Sequence, residues 1–166
     1  MSLTTLNIPI GPYMALAAEE ELLRKAEKVG KRQRGKKITA IFSDELYAYD
    51  WIPNLHDAVA DQAIKDLVDS NIMKKRKDIF RYKLSIYHIS GGIKTPSGVF
   101  QVVIPTVKPD QPSRIRITPQ DTRVQVPVEW SFGSYFLLSE GTMLSPTTPI
   151  SYISISIPLV SRISDS

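Results

Sequence analysis

The chain has no cysteine, and that absence removes disulfide scaffolds, thiolate zinc sites and thiol nucleophiles together. Histidine is nearly as scarce: His56 and His88 are the only two in 166 residues, and neither has a second histidine or a cysteine at metal-ligand spacing. A core or interface role suits His88 better than a ligand role. No apolar run approaches the length of a membrane span, and the start Met1-Ser2-Leu3-Thr4-Thr5 lacks the charged head and apolar centre of a signal peptide, so a cytosolic chain is expected. Ser2 stands where N-myristoylation needs glycine. Gly91-Gly92 is followed by Ile93 and not by the Lys-Ser/Thr of a phosphate-binding loop, and no nucleophile-elbow pattern occurs. Asp57 and Asp61 share a helix side with Asp66 and Asp69, which reads as solvation. The expectation is a non-enzymatic protein with no catalytic residue, no metal, no cofactor and no small-molecule substrate.

What the chain has in excess is positive charge, in two places. Arg24, Lys25, Lys28, Lys31, Arg32, Arg34, Lys36 and Lys37 face a single acid, Glu27, so 24–37 carries +7 in a chain of net +4. Lys74, Lys75, Arg76 and Lys77, followed by Arg81 and Lys83, make a second cluster of +5 over 74–83. The rest of the chain is then acidic, at −8. The eight bases of the first block and the four at 74–77 are the candidate polyanion-binding residues, suited to phosphates or anionic lipid head groups. No aromatic lies between Tyr13 and Phe42, so base stacking is closed to the first block. The plainer alternatives are a solvated tail, and a charged loop that keeps an edge strand from pairing.

Along the chain, 1–12 is an apolar peptide broken by Pro9, Gly11 and Pro12. With too few local contacts to stay on its own body, it is expected to dock on another copy through Leu3, Leu6, Ile8, Ile10, Tyr13 and Met14. The stretch from Tyr13 to Gly30 reads as a helix with acids early and bases late. A folded domain is expected over 38–166, with 1–37 as docking peptide, helix and basic arm. Its strand at 38–42 precedes an amphipathic helix over 54–70, where Leu55, Val59, Ala63 and Leu67 recur every four residues and Asn71 offers a stop. After Ile79 the period becomes 2, with strands at 80–86, 99–104, 114–117, 123–126, 135–138 and 151–157. Proline-bearing loops are expected at 105–112 and 144–149. The fold class is α+β: a twisted, mostly antiparallel sheet packed by one main amphipathic helix, with an N-terminal helix and basic arm. The expected core is Ile41, Leu55, Val59, Ala63, Leu67, Leu84, Ile86, Val102, Ile104, Leu137, Ile153 and Ile155.

This order of basic arm, strand, amphipathic helix, long strand with a basic flank and strand-rich C-terminal half resembles the matrix proteins of rhabdoviruses, and the small size suits a plant-infecting cytoplasmic genus. The matching pieces are the lysine-rich 31–37, the strand at 38–42 and the helix at 54–70. Gly11-Pro12-Tyr13 holds only part of a Pro-Pro-x-Tyr budding motif. The resemblance implies a viral structural protein of the virion and host cytoplasm, peripheral at membranes. Such a protein self-associates, condenses the nucleoprotein–RNA nucleocapsid by RNA or nucleocapsid binding, and bridges it to an anionic membrane surface. The alternatives are a small coat protein packaging RNA with its basic arm, against which the helix at 54–70 weighs, and a general nucleic-acid-binding module.

Overall fold

The computed structural model describes residues 5–33, 38–43, 46–49, 55–74, 83–89, 91–106, 113–148 and 150–159, with backbone alone described at 30–33, 38–43, 46–49, 55–56, 83–89 and 113. In chain order the elements are β1 (Tyr13–Ala17), α1 (Glu20–Gln33), β2 (Ile38–Ser43), β3 (Leu46–Tyr49), α2 (Leu55–Asp69), β4 (Lys83–Ile89), β5 (Ile93–Lys94), β6 (Val99–Pro105), β7 (Ser113–Thr118), β8 (Val126–Trp130), β9 (Ser134–Leu138), β10 (Met143–Pro146) and β11 (Ile150–Pro158).

The strands form two sheets, one of order β1-β9-β6-β11-β4-β3-β2 and one of order β5-β10-β7-β8. The pairings within both are antiparallel. Side chains on a strand alternate between its faces, and here the alternation sorts the apolar residues into two clusters. On the large sheet Ile153, Ile155 and Ile157 of β11 join Phe100, Val102, Ile104, Tyr135 and Leu137 in a cluster completed by both helices. The intervening residues, Ile150, Tyr152, Val103, Phe136 and Leu138, pack with Ile115, Ile117, Trp130 and Leu144 of the small sheet. The molecule is thus layered as helices, large sheet and small sheet, the face-to-face arrangement of a jelly roll.

The helices follow their spacing. Leu22, Ala26 and Val29 of α1, and Val59, Ala60, Ala63 and Leu67 of α2, are buried stripes at three- and four-residue intervals. Asn71 ends α2 in the left-handed conformation, φ 61°. The Ile72 amide donates back to the Leu67 carbonyl at 3.0 Å, the long closing bond of a Schellman turn.

The α+β, mostly antiparallel organisation stands, and α2 falls where its period puts it. The picture of one sheet under one main helix is corrected, because a second sheet covers the other face. The helix expected from Tyr13 to Gly30 is also corrected. Pairing with β9 takes 13–17 into a strand, with Met14 opposite Leu137 and Leu16 opposite Tyr135, and the helix starts only at Glu20. The strand expected at 123–126 forms instead as β8, and part of the loop expected at 144–149 is β10. Of the expected core, Val59, Ala63, Leu67, Val102, Ile104, Leu137, Ile153 and Ile155 are buried. Ile41, Leu55, Leu84 and Ile86 have side chains outside the described residues.

The peptide before β1 lies on its own chain. The Thr5 amide donates to Leu159 O at 2.7 Å, the Lys74 amide to Thr5 O at 2.8 Å and the Asn7 amide to Ile72 O at 2.8 Å. Ile10 is buried, and Leu6, Met14 and Leu16 pack on the helix-side cluster. The argument that this peptide lacks local contacts is therefore corrected: it sews the end of α2 to the end of β11.

Leu67→Ala and Ile153→Ala should each lower stability by about 2–5 kcal/mol, the usual cost of a cavity in a packed core. Urea denaturation measures it, and a shift below about 1 kcal/mol for both would contradict the layering.

Candidate functional site

The helix pair creates a groove on its flank. Acids are favoured in the first turn of a helix by the positive end of its dipole, and α1 opens with Glu20 and Glu21 after Glu19. On α2, Gln62, Asp66 and Asp69 recur at four- and three-residue spacing, so they share one side near its end. Packing of the apolar stripes brings the two sets together around a groove of about 370 Å³, lined by Glu19, Glu20, Glu21, Gln62, Asp66, Asp69 and Ser70.

Some of this charge is answered. Arg24 forks onto Glu21, with Nη2 to Oε2 at 2.7 Å and Nε to Oε1 at 3.2 Å, and holds the Glu21 carboxyl below its ordinary pKa. Lys65 Nζ lies 2.7 Å from Asp69 Oδ2. Both pairs are exposed, so each contributes little to stability. Lys25 Nζ donates to Gln62 Oε1 at 2.8 Å, and Gln62 Nε2 donates to Asp66 Oδ1 at 2.9 Å. Asp66 Oδ2 is enclosed and has no hydrogen-bond partner. Among the described residues, no ion pair forms at Glu19 or Glu20.

Tyr135, on the helix-facing side of β9, is only 4% exposed, and its hydroxyl has no hydrogen-bond partner among the described residues. Burial, with further contributions from Asp66 and Glu19, pushes its pKa up to about 12. Asp66 therefore belongs to the groove with one oxygen unsatisfied, and Tyr135 lies near enough for Asp66 and Glu19 to act on it. The end of α2 adds its own negative dipole there, with no base in its last turn.

The residues singled out from the sequence are placed as follows. Arg24 and Lys25 are engaged by Glu21 and Gln62, and Lys28 is exposed on α1. Lys74 is half-buried. The side chains of Lys31 and Arg32, and all of Arg34, Lys36, Lys37, Lys75, Arg76 and Lys77, lie outside the described residues, as does Leu3. Tyr13 packs against the inter-sheet cluster, and Ile8 is exposed at 38%. From the sequence, Asp66 and Asp69 read only as solvating acids, and the triplet Glu19, Glu20 and Glu21 only as the acidic early part of a helix. The available signal was the Glu triplet before one helix and the Asp66/Asp69 pair closing the next.

A second polar place lies between the sheets. Thr95 Oγ1 donates to Gln101 Oε1 at 3.1 Å and Gln101 Nε2 donates to Ser156 Oγ at 3.4 Å. Beyond it the interior is aromatic: Trp130 stacks on Phe136 with centroids 5.8 Å apart and meets Tyr152 edge-on at 6.0 Å.

No family model matches the chain, and no curated protein matches it. Solved structures do. A prolyl-4-hydroxylase of Pseudomonas putida aligns at TM-score 0.60 and 13% identity, covering 89% of this chain and 92% of that one. An oxidoreductase of the 2OG-Fe(II) oxygenase family from Burkholderia pseudomallei aligns at 0.59 and 9%, covering 89% and 84%. The dioxygenase for auxin oxidation in rice aligns at 0.55 and 11%, covering 94% and 76%. At such identities the similarity shows the fold, a jelly roll of the 2OG-Fe(II) oxygenase kind. It overturns the rhabdovirus-matrix resemblance and the function drawn from it. The non-enzymatic reading is corrected, because the solved structures that share the fold are a hydroxylase, an oxidoreductase and a dioxygenase. The partners named with it, namely other copies, nucleoprotein–RNA and an anionic membrane to the exclusion of any small-molecule substrate, are corrected with it, because the neighbours are oxygenases and nothing in them supports viral partners.

The fold family implies iron(II), for which such oxygenases use two histidines and a carboxylate with open positions. The described residues between the sheets do not fit that set. Among the described residues no group of three His, Cys, Asp or Glu could hold a metal. His56 belongs to α2 and His88 to β4, where it pairs in register with Ser151; both side chains lie outside the described residues.

The raised Tyr135 pKa has a consequence for stability. The native state keeps the Tyr135 proton that the unfolded chain loses near pH 10, so the contribution is complete below about pH 10 and is lost towards about pH 12. Urea denaturation at pH 9, 10.5 and 11.5 should show a steeper loss in the parent protein than in Tyr135→Phe, and equal slopes would count against burial of this hydroxyl.

Proposed function

We propose that the chain binds a small organic cation, an amine or guanidinium compound, in the groove between α1 and α2. The observation that carries this reading is the convergence of Glu19 and Glu20, which form no ion pair among the described residues, with Asp66, whose enclosed Oδ2 has no hydrogen-bond partner. A groove of about 370 Å³ lies within the range of small-molecule sites. An ammonium or guanidinium supplies only donors, which is what carboxylates and a free hydroxyl oxygen accept. Lys25 sets the orientation of Gln62, and Gln62 in turn holds one oxygen of Asp66. Asp66 can then present its remaining charge without swinging into solvent. A small-molecule ligand also accords with the oxygenase fold, and the acidic lining points away from an anionic one such as 2-oxoglutarate.

Calorimetric titration at low salt with agmatine, putrescine and spermidine should give saturable binding that weakens as salt is raised. Asp66→Asn should weaken it about tenfold to a hundredfold, since a hydrogen bond to a charged group is worth about 1.5–3 kcal/mol. Tyr135→Phe should weaken it less, and Glu129→Gln, at an exposed position on β8, should leave it unchanged. No binding by any of the three cations at millimolar concentration, or equal affinity in Asp66→Asn, would overturn the proposal.

A further inference from the structure

We infer that the space between the two sheets, where a jelly roll that encloses a ligand would hold it, is a packed core in this chain and takes no iron(II). The inference rests on what fills that space and is independent of the helix groove.

Three observations carry it. The first is volume. Trp130, Phe136 and Tyr152 are each 2% exposed or less and meet ring to ring at 5.8 and 6.0 Å, with Ile115, Ile117, Leu138 and Leu144 around them. Aromatic rings in offset or edge contact fill a core at interior density. The second is donor chemistry. Among the described residues the inward polar groups are hydroxyls and a carboxamide, with Thr95, Gln101 and Ser156 bonded to one another and Ser154 buried beside them. Neutral hydroxyl and amide oxygens without a carboxylate or imidazole are poor ligands for iron(II). The third is the placement of the two histidines. His56 is on α2, whose Val59, Ala63 and Leu67 pack on the outer face of the large sheet, and His88 is the register partner of Ser151. Tyr152, one residue on, is the inward one.

The disagreement between fold and donor set is therefore specific: the overall fold is shared with the oxygenases while the described space between its sheets is given to Trp130 and its neighbours. Replacing Trp130 should then act as a core truncation. Trp130→Ala should lose or sharply weaken cooperative thermal unfolding, whereas a ring lining an open cavity would be removed with a small effect.

The metal arm uses the full-length protein. Incubation with iron(II) under anaerobic conditions, and with manganese(II) as an air-stable stand-in, followed by gel filtration and elemental analysis, should leave well under a tenth of an equivalent bound. Neither metal, with or without 2-oxoglutarate, should raise the melting temperature or alter the fluorescence of Trp130 read in the Trp51→Phe variant. One equivalent of iron retained through gel filtration, with a rise in melting temperature that His88→Ala or His56→Ala abolishes, would overturn the inference. Because the readouts are metal content and unfolding, their outcome does not depend on whether the groove binds a cation.

Discussion

Burial of β11 on both faces is the constraint from which the rest of the structure follows. A central strand whose two faces meet different cores has a register that cannot slip, because a shift by one residue exchanges every side chain between them. Here a slip would drive Ser154 and Ser156 under the helices and push Ile153 and Ile155 between the sheets. The register is held from both sides, with Ile153 between Ile86 on β4 and Ile104 on β6. The helices can lie only on the isoleucine row and the small sheet only on the row of Ile150 and Tyr152. Once the helices share that row, the flank where the first turn of α1 meets the end of α2 is fixed, and Tyr135, on the same face of β9, lies beneath it.

The electrostatics of that flank are unevenly resolved. Acids at the start of α1 agree with its dipole, and Arg24 neutralises one of them. Asp66 and Asp69 at the end of α2 oppose theirs, and of the two only Asp69 forms an ion pair among the described residues, with Lys65. A carboxylate oxygen enclosed without a donor costs on the order of 1–3 kcal/mol in lost hydration. A chain under selection for stability alone would be expected to remove it, since an alanine there would keep the helix and lose the penalty. Local rules broken without a compensating contact are characteristic of functional sites. The groove therefore stands apart from the exposed acids Asp61 and Asp121, which sit on open surface.

Much of the fold was legible because it rests on period. The repeats of Val59, Ala63 and Leu67 on α2, and the alternation of β6, β9 and β11, reach the page directly as helix and strands. Three things did not, each for a physical reason. The stretch 13–17 has a short apolar pattern that fits helix and strand alike, and only the unpaired edge of β9 decides between them. The serines of β11 look like a solvent face, yet Ser151 and Ser154 are buried, because a small hydroxyl can be enclosed when a neighbour bonds it or the partner sheet shields it. Pro146 reads as a loop, but it ends β10 opposite Ile115, where a missing amide is tolerated. The groove was illegible because its acids come from two helices, and no spacing within one segment announces a convergence across two.

The helix at 54–70 seemed to argue against a sandwich, and that inference fails for a reason that also explains where the candidate site lies. A sandwich excludes helices only from the space between its sheets; the outer face of the larger sheet remains free to bury an apolar stripe, and α2 does so. When the inter-sheet space is occupied by Trp130, Phe136 and Tyr152, a ligand must find its concavity elsewhere. The outer layer supplies one, since two helices side by side on a twisted sheet diverge at their ends and leave a trough that their polar flanks line. Residues Glu19, Glu20 and Asp66 occupy that trough, and Tyr135 lies on the same side of the sheet, near enough for Asp66 and Glu19 to act on it. The jelly-roll fold is in this way compatible with a site on the outer side of the large sheet, and the fold alone does not decide which side carries the chemistry.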